Sequence, residues 1–121
     1  MNIGANVLQA IGNTSLVQLT NVVPLGCASI FVKLEWENPT GSMKDRAAQA
    51  MISKAEEDGR LKPGDTVVEY TGGSTGISLA LVCVAKGYHL HIVTSDAFSQ
   101  DKLKHMLALG AELTLVPSVG A

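Results

Sequence analysis

Two short segments carry side chains whose type and placement could do chemistry. The run Gly41-Ser42-Met43-Lys44-Asp45-Arg46 puts a lysine where a helix is expected to begin. A cation is ordinarily favoured at the opposite end of a helix, so the local field here favours the neutral amine. A neutral, partly desolvated lysine is the nucleophile that condenses with an aldehyde cofactor. A solvated lysine balanced by Asp45 is the other reading of the same pair. Arg46 is expected to hold a carboxylate or a backbone carbonyl nearby.

The second segment is Thr71-Gly72-Gly73-Ser74-Thr75-Gly76, between an expected strand and an expected helix. Unpaired N–H groups and the helix dipole favour an anion there. Glycines admit an anionic group close to the backbone, and three hydroxyls add donors. A plain strand-to-helix turn capped by Ser74 also fits. The dinucleotide pattern G-x-G-x-x-G is missing, because Ser74 and Ile77 stand at its second and third glycines. Asp96 lies at a ribose-binding distance, but Thr94-Ser95-Asp96 also reads as a turn. No Gly-Lys-Ser/Thr follows, so the loop is not a P-loop. An amino-acid carboxylate is another candidate anion.

These segments need elements to position them. Val7 to Ile11 reads as a helical turn stopped at Gly12, and Leu16 to Leu19 as a short strand. Ile30, Val32, Leu34 and Trp36 alternate with Phe31, Lys33 and Glu35, the period of a strand. After the turn Asn38-Pro39-Thr40-Gly41, Ser42 is expected to cap a helix with Ala47, Ala48, Met51, Ile52 and Ala55 on its apolar face. Gly59 ends it. Strands are then expected at Thr66–Tyr70, His89–Thr94 and Glu112–Val116. They alternate with helices at Ser74–Lys86, ended by Gly87, and from Ser99 to Gly110, with Leu103, Met106 and Leu107 inward. This order implies an α/β fold, an open parallel sheet with flanking helices and right-handed crossovers. Two crossover helices leave such a sheet underfilled at one edge.

Composition narrows the classes further. The 121 residues suit one modest core, 46% are hydrophobic and 17% charged, which fits a folded chain. A net charge of −2 without a basic tract gives no basis for nucleic-acid binding. Cys27 and Cys83 have neither a disulfide-framework nor a metal-ligand spacing, and Cys83 reads as a buried, inert thiol. His89, His91 and His105 suit strand and helix surfaces better than catalysis or a metal. The apolar run Ile77–Ala85 is too short for a membrane span, and residues 1–10 lack a secretory pattern, so a soluble, cytoplasmic protein is expected.

Three segments together resemble the fold-type II pyridoxal-phosphate enzymes, within them the cysteine synthase and cystathionine beta-synthase branch. Ile11 to Leu19 is similar to I-G-N-T-P-L-V-x-L, with Ser15 in place of proline. Asn38 to Arg46 matches N-P-x-G-S-x-K-D-R, and Thr71 to Gly76 falls where the family carries T-S-G-N-T-G. The similarity runs from about Leu8 to Pro117 in unbroken order.

The resemblance implies that Lys44 is the catalytic residue, carrying pyridoxal 5'-phosphate and later moving protons at the substrate's alpha carbon. It implies that Thr71, Gly72, Gly73, Ser74 and Thr75 bind the substrate's carboxylate, with Ser74 also meeting the cofactor ring. Ser74 is shorter than the family's asparagine, and Gly72 lacks a hydroxyl. The lysine segment favours beta-replacement on an O-acetylserine- or serine-like amino acid. The family's phosphate cradle falls beyond Ala121, so residues 1–121 are expected to form a single incomplete unit. It comprises an amino-terminal segment, 1–38, and a lysine-helix and substrate-loop portion, 39–121. On this reading the chain is inactive without a carboxyl-terminal half, supplied with it or within a homo-oligomer. A non-catalytic binding module keeping the fold is the rival expectation, and a dinucleotide-binding domain a more distant one.

Overall fold

In the computed structural model, residues 3–119 are described. A 3-10 turn at Val7–Ala10 leads into strands β1 (Leu16–Leu19) and β2 (Ile30–Lys33), an antiparallel hairpin pairing Leu16 with Lys33 and Leu19 with Ile30. After a second 3-10 turn at Glu35–Glu37 come α1 (Lys44–Glu57), β3 (Thr66–Tyr70), α2 (Ser74–Lys86), β4 (His89–Ser95), α3 (Gln100–Ala108) and β5 (Glu112–Val116). Strands β3, β4 and β5 form a parallel sheet in that order. The α/β class and the sheet's parallel sense agree with the expectation from the sequence.

The period-two pattern sorts the sheet's faces. Leu90 and Ile92 turn inward and join Val82, Cys83, Leu103 and Met106 in the core. Val68 and Tyr70 point the other way and are more than half exposed. What the sequence suggested as an underfilled edge is therefore an uncovered face. Burial raises the Cys83 thiol to about 11, which suits the inert role expected of it. His91 Nε2 meets Thr114 Oγ1 at 2.7 Å across the strand pair, and His89 and His105 are exposed. No helix among the described residues is long and apolar enough to cross a membrane.

Three elements differ from the pattern read in the sequence. In α3, Leu103 and Met106 are buried as expected, but Leu107 is exposed, because the inward stripe is only two residues wide on this short helix. The alternation from Ile30 to Trp36 stops being a strand at Lys33, because Glu35 turns aside to meet Thr14 and Arg46. In α1 the buried positions are Asp45, Ala48 and Ile52, while Ala47 and Met51 are exposed. The inward stripe is rotated toward Asp45 because that carboxylate has partners inside.

Helices α1 and α2 lie side by side, pointing the same way. At their amino ends Ser78 Oγ donates to Asp45 Oδ1 at 2.6 Å, and toward their carboxyl ends Lys86 Nζ meets Glu56 Oε2 at 2.5 Å. Tyr88 Oη also donates to Glu56, at 2.9 Å. Lys86 and Tyr88 together hold the Glu56 carboxyl below its ordinary range. Both positive helix ends consequently face one side of the molecule.

Candidate functional site

That side carries Lys44 and the Thr71–Gly76 loop. Lys44 is the first residue of α1, and Met43, not Ser42, is the N-cap residue; Ser42 Oγ instead accepts the Lys44 N–H at 3.1 Å from one position further out. Among the described residues its Nζ has no hydrogen-bond or ion-pair partner. Asp45 does not balance that amine. Its carboxylate is fully buried, taking Thr40 Oγ1 at 2.5 Å and Ser78 Oγ at 2.6 Å on Oδ1, and Thr40 N–H at 2.8 Å on Oδ2. The reading of a solvated Lys44–Asp45 pair fails on this geometry, since the two side chains part company.

A second network fixes the turn before Lys44. Arg46 forks onto Glu35, Nε to Oε2 and Nη2 to Oε1, each at 2.9 Å, and Nη2 also donates to Thr14 Oγ1 at 3.0 Å. Thr14 Oγ1 donates to Glu35 Oε1 at 2.7 Å, and Asn38 Nδ2 to Glu35 Oε2 at 3.0 Å. Arg46 first, then Thr14, holds the Glu35 carboxyl down at about 2. Buried Asn38 also accepts the Gly12 N–H at 2.8 Å. Gly12 has φ +88°, and a Cβ there would stand 2.9 Å from Arg46 Nη1. The Ile11–Leu19 and Asn38–Arg46 segments thus interlock through Glu35, and Arg46 has the carboxylate partner expected of it.

The loop follows β3, whose pairing is extended by Thr71 N–H donating to Val93 O at 3.1 Å. Gly73, not Ser74, is the N-cap residue, and Ser74 is the first residue of α2. The Ser74 hydroxyl is accordingly not spent on capping, which corrects the plain-turn reading. Thr71 Oγ1 accepts the Gly73 N–H at 3.2 Å, whereas the N–H groups of Ser74 and Thr75 find no acceptor among the described residues. The loop's glycines have different reasons. A Cβ at Gly76 would lie 2.7 Å from Met106 Cε and Thr71 Cγ2, and one at Gly72 would strike Phe98, while Gly73 has nothing within 4 Å. Only Gly73 leaves the approach open that the sequence suggested for all three. Asp96 Oδ1 accepts the Ser118 N–H at 2.8 Å, which lowers the Asp96 carboxyl and gives it the turn role rather than a ribose-binding one.

The structure brings Lys44 and Thr71–Thr75 to one side, with Asp45 and Ser78 between their helices. Sequence reasoning passed over Asn38, Glu35, Asp45 and Ser78 as positioning residues. Ser78 left a signal, a hydroxyl inside the otherwise apolar run Ile77–Ala85.

An open parallel α/β unit, with an unpaired amine and unanswered N–H groups beyond its strands' carboxyl ends, defines a small-molecule-binding class of protein. The chain belongs to the pyridoxal-phosphate dependent enzymes, whose family model matches residues 7–120. It is 53% identical over 112 residues to the cysteine synthase of Staphylococcus aureus, covering 93% of this chain and 36% of that protein. The crystal structure of O-ureido-L-serine synthase superposes with a TM-score of 0.91 at 42% identity, over 96% of this chain and 36% of that one. A hydrogen sulfide-producing enzyme from Fusobacterium nucleatum gives 0.92 at 39% identity, over 98% and 39%. The chain thus spans about a third of the length of the curated relatives it matches.

Proposed function

We propose that this chain supplies the lysine and the carboxylate-binding loop of a beta-replacement enzyme acting on O-acetylserine- or serine-like amino acids, as a cysteine synthase does. The observation that carries the reading is Lys44, its Nζ unpaired among the described residues, on the same side as unanswered N–H groups of the Thr71–Gly76 loop. Similarity to a cysteine synthase supports the reaction class.

The donor set suits pyridoxal phosphate. Lys44 would hold it covalently through Nζ, and Ser74 would face its ring. When bound, the cofactor supplies an electron sink for bonds at the substrate's alpha carbon. This chain's residues do the remainder. Thr71, Gly72, Gly73, Ser74 and Thr75 form the seat for the alpha-carboxylate, with the N–H groups of Ser74 and Thr75 and the hydroxyls of Thr71, Ser74 and Thr75 as its donors, and the dipole of α2 adds to that hold. Lys44 takes and returns the proton at the alpha carbon. Asp45, Thr40 and Ser78 fix α1 against α2, so amine and loop keep one spacing. The net change exchanges the group on the beta carbon: acetate leaves with its bonding pair, or a hydroxyl leaves with its pair and takes to itself, as water, the proton that Lys44 removed, while hydrosulfide or another nucleophile enters with its own pair and the alpha carbon is reprotonated.

Grip on the cofactor's phosphate is assigned to a carboxyl-terminal portion acting with this chain. The test is borohydride reduction of the completed protein with pyridoxal phosphate, followed by peptide mass spectrometry. Cofactor fixed on the peptide containing Lys44, and lost in Lys44→Ala, is expected. Cofactor fixed on another lysine, or on none, refutes the proposal.

A further inference from the structure

Gly72 is buried beneath the ring of Phe98. A Cβ at residue 72 would stand 2.0 Å from Phe98 Cγ and 2.1 and 2.4 Å from its two Cδ atoms, so the ring lies directly on the glycine. No side chain larger than hydrogen fits there while Phe98 keeps its place. The contact joins the carboxyl ends of neighbouring strands, since Gly72 follows β3 and Phe98 follows β4.

The turn bearing Phe98 is well held. Ala97 N–H donates to Ser95 Oγ and Phe98 N–H to Ser95 O, each at 3.2 Å, and Asp96 is tied to Ser118. Phe98 nevertheless stays 39% exposed. Beside it, Gly73 has open space at its Cβ position. Part of Phe98 covers Gly72, and the remainder is open to solvent next to the loop's first glycine.

We propose that Phe98 is a specificity-determining residue, an apolar wall that stands where a side chain at position 72 would otherwise reach and limits the amino-acid side chain held at the loop. The inference rests on the proposed function, because it takes the loop to bind an amino-acid carboxylate. An aromatic wall offers no hydrogen-bond partner, so a charged side chain pressed against it loses hydration without replacement. A bulky one meets the ring itself. The site therefore selects compact, uncharged side chains, and truncating Phe98 relaxes the limit on size.

Two measurements on the completed, cofactor-loaded protein test this. In the first, dissociation constants for L-alanine and L-phenylalanine are measured by titration calorimetry for wild type, Phe98→Ala and Phe98→Leu. The preference for alanine should fall by about tenfold in Phe98→Ala, the scale set by removing a large apolar group from a pocket, and by less in Phe98→Leu. An unchanged preference overturns the inference and leaves the proposed function standing. Should wild type bind neither amino acid, the proposed function falls and takes the inference with it. The second measurement is a thermal-unfolding cycle. Gly72→Ala should destabilise the wild type strongly and the Phe98→Ala background little, and additive effects would show that the ring does not rest on Gly72, overturning the proposal.

Discussion

The fully buried Asp45 carboxylate is the point at which the lysine segment is fastened to the helix behind it, so its removal should cost more than a surface substitution. Three donors converge on it: the Thr40 hydroxyl and N–H, and the Ser78 hydroxyl. Each hydrogen bond to a charged acceptor contributes about 1.5–3 kcal/mol, but the losses do not add. In Asp45→Ala the hydroxyls of Thr40 and Ser78, already 3.4 Å apart, can turn to one another. The Thr40 N–H keeps no partner, at about 1–3 kcal/mol for an orphaned donor. Release of a desolvated charge offsets part of this. The net expectation is a destabilisation of about 2–4 kcal/mol, within the range for a broken buried network.

Asp45→Asn should cost less, because a flipped amide can accept the Thr40 N–H and donate to both hydroxyls. Its cost is that of charged bonds becoming neutral, about 1–2 kcal/mol. Urea unfolding followed by helical circular dichroism measures both. With a slope of about 1–2 kcal/mol per molar, the midpoint of Asp45→Ala should drop by at least about 1 M. A shift of less than about 0.3 M would mean that Asp45 is solvated, and the account of how Lys44 is positioned would fail with it.

Two further outcomes follow from the networks around the site. Glu35 titrates at about 2 in the fold against an ordinary 4.5, so its contribution is present above 4.5 and is lost as pH falls toward 2. Thermal midpoints recorded between these values should fall in the wild type and flatten in Glu35→Gln, and equal slopes would contradict the Arg46 fork. Thr94 Oγ1 is buried without a partner among the described residues, so Thr94→Val should stabilise the chain by about 1 kcal/mol. A loss of similar size in chemical denaturation would show that the hydroxyl is satisfied in solution.

Much of the fold was legible where local pattern and tertiary demand agree. The limits of β3, α2 and β5 follow from alternation, from the Gly87 stop and from the turns between them. Legibility failed where a polar residue was recruited inward. Nothing in the alternation from Ile30 onward says that Glu35 will leave the strand for Arg46. An apolar-face reading of α1 sets Asp45 aside, although it is more deeply buried than Met51. The loop was legible as a strand-to-helix turn with spare donors, yet its glycines were not, because the reason for Gly72 is an aromatic ring 26 positions further along the chain. Spacing along a sequence reports neighbours on one element. Contacts between elements leave only indirect marks, such as the hydroxyl of Ser78 in an apolar run.

The placement of Asp45 bears on how the loop would recognise an anion. The parallel α1 and α2 present two positive ends to one side, and the carboxylate buried between them answers part of that field. Ser74 precedes Ser78 by four residues, about 6 Å of helix rise, so a carboxylate held at the loop would stand roughly 8 Å from Asp45. At an effective dielectric constant of about 20 the repulsion is about 2 kcal/mol. The positive field of the two helix ends is reduced by that amount. Discrimination must come from directed donors, the N–H groups of Ser74 and Thr75 and the hydroxyls beside them, which reward a planar carboxylate in one orientation. On the proposed function, the buried aspartate would leave the loop to select by geometry, since it reduces the positive field that would attract any anion.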